Sequence, residues 1–286
     1  MSGHEHGPPA EPPAGGLRVV VTGKGGVGKT SLTGLLARLL ARRGMGVLAV
    51  DADPQMNLPF ALGIPVDRGR ELVPLSRNVD YVEEKTGARP GEGWGLLFRL
   101  NPVVDDVVAR FGVIGPDGVR LLVMGTVVVP AAGCLCPENT VLNAVVGHIG
   151  LRDDEIILMD TQAGVEHFGR ALARGFQHAV VLTDPTFSGM QVAVHTARLA
   201  RDLGIAGIHL VVNRVATPSD VDRALALLEG EGGFAFTSRS FLPYDPRLLE
   251  EEPSVGPLLD GRSSPLVEAV TDLAGRVLRT KVVVGS

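Results

Sequence analysis

The sequence predicts an α/β fold, a doubly wound and mostly parallel β-sheet flanked by helices. Three observations carry that expectation. Short runs rich in Val, Ile and Leu recur along the chain, as strands covered on both faces require. Segments with helical apolar spacing lie between them, and strand–helix alternation of this kind builds parallel sheets. The first apolar run also passes straight into a glycine-rich turn, GKGGVGKT, which opens a helix-period segment. With 286 residues the chain is long enough for one large core. Aromatic residues make up only 4%, so that core must rest on Val, Leu, Ala and Ile.

Taken in order, residues 1–16 are rich in Pro and Gly and read as a disordered tail in which His4 and His6 are incidental. Candidate strands follow at LRVVVTG (17–23), GVLAVDAD (46–53), VRLLVMG (119–125), EIILMDT (155–161), HAVVLTD (178–184) and IHLVVNRV (208–215). TSLTGLLARLLARRG places Leu32, Leu35, Leu36, Leu39 and Leu40 on one helical stripe that Gly44 ends. Residues 189–204 and 219–230 have the same period, with Ser219 as the expected N-cap of the second. NPVVDDVVARFG (101–112) reads as helical within the poorly legible stretch 65–118. The expected division is a tail (1–16), a single domain (17–280) and a C-terminal tail (281–286).

The 27 basic and 32 acidic residues give a net charge of −5, without the basic excess that nonspecific DNA binding uses. Two cysteines cannot make a disulfide framework, the N-terminus has no apolar signal core, and no run approaches a membrane span. A cytoplasmic location is the expectation.

GKGGVGKT, Gly23 to Thr30, fits the phosphate-binding pattern G-x-x-x-x-G-K-[ST] between a strand and a helix. Its glycines let successive backbone N–H groups face a polyphosphate, and the helix N-terminus adds partial positive charge. Lys29 is expected to reach the β- and γ-phosphates, and Thr30 to ligate Mg²⁺. Gly23, Lys24, Gly25, Gly26, Val27, Gly28 and Ser31 complete the expected loop contacts to ATP or ADP. Lys24 lies outside the general motif. It makes the loop resemble the deviant Walker A sequence of the MinD/ParA/nitrogenase-iron-protein class of dimerising ATPases. That resemblance implies that Lys24 crosses to a partner's nucleotide, so that ATP clamps a homodimer. It further implies that Asp53, in VDADPQMN (50–57) with Asp51, positions the attacking water. In LMDTQAG (158–164), Asp160 would be the Walker B partner of Mg²⁺ and Gly164 a backbone donor to the γ-phosphate. Asn213 in VVNRV would pair with the adenine edge, and LPYDP (242–246), after the last strand, would wrap it from Pro243 to Asp245.

Within that class, GCLCP (133–137) and AGVEHFGR (163–170) are similar to segments of CooC-type ATPases, which help mature the nickel centre of carbon monoxide dehydrogenase. The resemblance spans about residues 17–275. Gln162, where an acidic residue is expected, and Ala171, where glycine is usual, depart from it. The cysteine chemistry points the same way. A C-x-C disulfide closes a strained ring, and two thiolates are too few for a four-coordinate site. A two-fold dimer would bring Cys134 and Cys136 of both chains together around Ni²⁺ or Zn²⁺. Pro137 suits the first position of a helix through ENTVLNAVVGHIG. Both cysteines as buried small side chains is the competing reading, and His148 and His167 are further candidate ligands.

The function expected is therefore an ATP-hydrolysing metallochaperone whose partner is a client nickel enzyme, without nucleic acid or stable membrane association. A MinD- or ParA-like spatial organiser is the alternative, with Arg276, Arg279 and Lys281 hinting at an interfacial helix. A reductase with a shared 4Fe–4S cluster is a third reading, which the adjacent cysteines disfavour.

Overall fold

In the computed structural model, residues 16–89, 99, 102–125, 140–142, 144–145, 155–162, 175–261 and 264–280 are described. Eight strands form one sheet: β1 Leu17–Gly23, β2 Gly46–Ala52, β3 Val113–Ile114, β4 Arg120–Val123, β5 Glu155–Thr161, β6 His178–Thr183, β7 Gly207–Val215 and β8 Ser238–Pro243. Their order is β3-β4-β2-β5-β1-β6-β7-β8, parallel throughout except for the β3–β4 pair. The helices are α1 Lys29–Arg42, α2 Leu58–Leu62, α3 Val66–Arg70, α4 Val79–Thr86, α5 Val107–Phe111, α6 Phe187–Asp202, α7 Pro218–Gly230, α8 Arg247–Glu250, α9 Gly256–Asp260 and α10 Pro265–Arg279. Residues 140–142 and 144–145 are also helical, in the segment expected to follow Pro137.

Strand periodicity divides the core between the two faces of the sheet. Val19 and Val21 of β1, Val47 and Ala49 of β2, and Ile156 and Leu158 of β5 pack with the α1 leucines and with Val270, Leu273 and Val277 of α10. The alternate residues, Val20, Leu48, Val50, Ile157 and Met159, pack on the other side with Met190, Ala193 and Ala197 of α6 and Tyr81 of α4. All five leucines expected on the α1 stripe are buried. The apolar face of α10 is likewise spent on the sheet and α1, which leaves Arg276 and Arg279 on its exposed side. No helix among the described residues is long and apolar enough to cross a membrane.

Three local expectations are corrected. Of the helix expected over 101–112, only Val107–Phe111 is helical among the described residues, the chain before it running without helical structure to bury Val104 in the core. The N-cap of α7 is Thr217, not Ser219. The Asp220 carboxylate accepts from the N–H groups of Ala216 at 3.0 Å and Thr217 at 2.9 Å, while Ser219 is already inside the first turn. LPYDP begins within β8 and not after it.

At the sheet end opposite the glycine-rich loop, His178 on β6 and His209 on β7 are buried side by side, with Nδ1 and Nε2 3.0 Å apart. His209 Nδ1 in turn lies 2.8 Å from Ser238 Oγ on β8. Burial pulls His178 down to about 4, and burial followed by the neighbouring imidazole pulls His209 down to about 3. Both are therefore neutral in the native state. Their contribution to stability is complete above the unfolded-state value near 6.5 and is lost as pH falls towards 4, where the unfolded chain binds more protons. The buried carboxyls Asp51 and Asp160 titrate in the opposite sense, so the variant must be compared with wild type at each pH. In urea melts, the stability of wild type relative to His178→Gln/His209→Gln is expected to fall between pH 6.5 and pH 4; a pH-independent difference would refute the neutral pair.

Candidate nucleotide site

The loop from β1 to α1 opens onto a cleft of about 580 Å³ at the C-terminal ends of the strands, where open α/β sheets bind ligands. Gly25, Gly26, Gly28, Lys29, Thr30 and Ser31 line it. Across from them stand Asp53, Gln55 and Asn57 from the loop after β2, Gln162 after β5, Arg214 after β7, and residues 252–255. The turn needs its glycines. Gly28 has φ 99°, and a Cβ there would come within 2.8 Å of Asn213 Nδ2; a Cβ on Gly23 would stand 2.0 Å from the Leu182 carbonyl oxygen. Val27 faces inward and packs into the core.

Lys29 is buried and its Nζ donates to the Lys24 carbonyl at 3.2 Å. Burial lowers its pKa, and the charges of Asp160 and Asp53 oppose that shift. Thr30 Oγ1 donates to Asp160 Oδ2 at 2.6 Å, while Asp160 Oδ1 is buried with no hydrogen-bond partner among the described residues. Asp160 stands in register with Asp51 on the neighbouring parallel strand. Burial raises Asp160, and the Thr30 hydrogen bond and Lys29 only partly counter it. Burial, then the charge of Asp160, raises Asp51. An orphaned buried carboxylate oxygen beside a threonine hydroxyl is a donor set for a hard cation, so the residues fit Mg²⁺.

Asp51 and Asp53 divide their work. Asp51 accepts from the backbone N–H of Asp53 and of Leu58, each at 3.0 Å, and so shapes the loop that presents Asp53 to the cleft. Lys24 reaches away from the cleft, and its Nζ donates to Ser188 Oγ at 3.0 Å at the start of α6. Asn213 donates to the Val27 carbonyl at 2.8 Å. Pro243 ends β8 opposite Val215. The Asp245 carboxylate is engaged by Arg247 through Nε at 3.0 Å and Nη2 at 2.6 Å. The structure thus gathers Lys29, Thr30 and Asp53 at one cleft, with Asp160 buried behind Thr30, and leaves Gly23, Lys24, Val27, Asn213, Pro243 and Asp245 outside its lining. Gly164, Cys134, Cys136, His148 and His167 lie outside the described residues. Among the described residues no three His, Cys, Asp or Glu side chains are grouped to hold a metal ion. Sequence reasoning did not find Arg214, although it lies in VVNRV beside Asn213, because strand alternation puts it on the other face; Ser254 belongs to no local motif.

Asp51→Ala would leave two backbone N–H groups without their acceptor, and the expected loss is about 3 kcal/mol in urea melts. An unchanged midpoint would show that the loop after β2 does not depend on Asp51.

Comparison with known proteins agrees with this geometry. Residues 18–254 match the model of the CobQ/CobB/MinD/ParA nucleotide binding domain. The chain is 42% identical over 205 residues to the carbon monoxide dehydrogenase accessory protein CooC of Rhodospirillum rubrum, covering 72% of this chain and 77% of that protein. It is 36% identical over 256 residues to an ATP-binding protein of Methanocaldococcus jannaschii, covering 89% and 96% respectively. In fold it is similar to MinD in the MinC:MinD complex of Aquifex aeolicus, with TM-score 0.62 and 21% identity over 94% of this chain and 98% of that one. A ParA family ATPase of Chlorobium tepidum aligns with TM-score 0.59 and 17% identity, covering 91% and 98%. The chain belongs to the CobQ/CobB/MinD/ParA nucleotide-binding family and is an ATP-binding and ATP-hydrolysing P-loop protein.

Proposed function

We propose that the protein is an ATP-dependent switch in which nucleotide closes a homodimer and hydrolysis reopens it. The observation that carries this reading is Lys24. Its ammonium lies on the outer side of the loop, away from the cleft that Lys29 serves, and is accessible to a second copy. In the chemistry that follows, Lys29 and the loop N–H groups bind and orient the β- and γ-phosphates. Thr30 and Asp160 would hold Mg²⁺, which supplies charge neutralisation on the phosphate oxygens. Asp53 accepts a hydrogen bond from the attacking water and aligns it, and Gly164 donates its N–H to the γ-phosphate. The Asn213 amide and the backbone from Pro243 to Asp245 contact adenine. In gel filtration with light scattering, an Asp53→Ala variant that binds ATP but hydrolyses it ~10²-fold more slowly should run as a dimer with Mg·ATP and as a monomer with Mg·ADP. Adding Lys24→Ala should abolish the dimer and spare ADP binding. A Lys24→Ala protein that still dimerises with ATP would overturn the clamp.

Two outputs of such a switch are open to test. We infer maturation of a nickel enzyme, such as carbon monoxide dehydrogenase, from the identity to CooC and from the C-x-C-P sequence. In this reading the cargo, Ni²⁺ or Zn²⁺, sits between Cys134 and Cys136 of two chains. The alternative is a MinD- or ParA-like spatial organiser. The likeness of fold to those proteins and the curated MinD and ParA relatives support it. The burial of the apolar face of α10 removes that helix as a ready membrane anchor. Elemental analysis of the ATP-bound dimer discriminates the two. Maturation predicts one Ni²⁺ or Zn²⁺ per dimer, lost in Cys134→Ser/Cys136→Ser. A metal-free dimer that pellets with anionic liposomes, or that binds DNA, would favour the organiser, and a brown, iron-containing protein the reductase.

A further inference from the structure

The end of β7 does something a regular strand does not do. Successive side chains of a strand point to opposite faces, yet Asn213 and Arg214 both reach the phosphate loop. Asn213 Nδ2 donates to the Val27 carbonyl and Arg214 Nη2 to the Gly26 carbonyl, each at 2.8 Å. The break in alternation has a visible cause. The β7–β8 register shifts between Val212 and Val215, and Arg214 takes φ 59°, a left-handed conformation unusual for a residue with a Cβ. Strained backbone of this kind persists where the surrounding structure holds it, and it concentrates at functional sites. Arg214 is exposed, so core packing does not account for its conformation.

Peptide planarity turns these two bonds into control of the loop. In a trans peptide the carbonyl and the following N–H point in opposite directions. Holding the Gly26 carbonyl towards β7 turns the Val27 N–H away from it, and holding the Val27 carbonyl does the same for the Gly28 N–H. Gly26 and Gly28, with φ 74° and 99°, have no side chain to restrict these planes themselves. We propose that Arg214 is a positioning residue for nucleotide binding: with Asn213 it clamps two consecutive carbonyls of the loop, so that the loop N–H groups are preset for a diphosphate before ligand arrives. The inference rests on the family's nucleotide binding and is independent of what the ATPase serves.

The test is calorimetric titration of the full chain with Mg·ADP and with a non-hydrolysable Mg·ATP analogue, beside thermal melts without nucleotide. Wild-type binding of Mg·ADP checks the family reading by itself. Arg214→Met keeps length but loses the donor, and should raise both Kd values by about tenfold, the worth of one charge-assisted hydrogen bond. Arg214→Gly relieves the left-handed backbone; it should melt no lower than wild type yet bind as weakly as Arg214→Met. Arg214→Lys keeps a donor and should recover most of the affinity. Unchanged Kd values in Arg214→Met would overturn the proposal. So would a loss confined to the ATP analogue, which would mark a direct γ-phosphate contact, or a failure of Arg214→Lys to rescue.

Discussion

Asp51 and Asp160 stand directly opposite one another at the ends of neighbouring parallel strands, both almost wholly buried. Two carboxylates in such a place cannot both be ionised without compensation, and burial accordingly pushes both pKa values up. The structure resolves the conflict by giving them different partners. Asp51 turns its oxygens to two backbone N–H groups and becomes a brace for the loop that carries Asp53. Asp160 takes one hydroxyl from Thr30 and keeps one oxygen bare. That bare oxygen marks a site short of positive charge, which a divalent cation would relieve. The strand register therefore does more than close the sheet, since it creates the electrostatic demand the nucleotide site satisfies.

The surroundings hold the site from behind. Arg38 of α1 is buried and donates to Asp117, which precedes β4, at 2.6 Å. Arg42, one turn on, donates to the same carboxylate at 3.0 Å and to Asp260 of α9 at 2.6 Å. The helix that starts in the phosphate loop is thereby tied at its far end to the turn before β4 and to the end of α9. Nearer the cleft, the Val255 N–H donates to the Ala61 carbonyl at 3.0 Å and joins the segment after α8 to the helix that follows Asp53. Arg38 is mostly buried and contributes packing as well as charge, whereas the Arg42–Asp260 pair at the surface adds little.

The two lysines of the loop have different surroundings. Lys29 is buried at the root of α1 with its charge balanced by Asp160 and Asp53. Lys24 projects towards the start of α6, where its Nζ donates to the Ser188 hydroxyl. An ammonium beside a helix N-terminus gains nothing from the helix dipole.

The glycine-rich loop that lines the cleft is legible in the sequence because its geometry is local. A glycine-rich turn between an apolar run and a leucine stripe carries its strand–loop–helix context in the local sequence, so Gly23 to Ser31 can be read without tertiary information. The buried strands β1, β2, β4, β5, β6 and β7 declare themselves by continuous Val, Ile and Leu, since both faces are covered. Edge strands were harder: β3 has two residues, and β8 leaves alternate residues half-exposed and so carries Ser and Arg. The α7 cap was misplaced by two residues because Asp220 reaches back to Thr217, a preference that side-chain type at Ser219 does not reveal. Only the tertiary structure decided the pairing of Asp51 with Asp160, the bare oxygen that follows from it, and the bulge that turns Asn213 and Arg214 onto one loop. Those features depend on register between segments far apart in the chain, and register is a property of the assembled sheet.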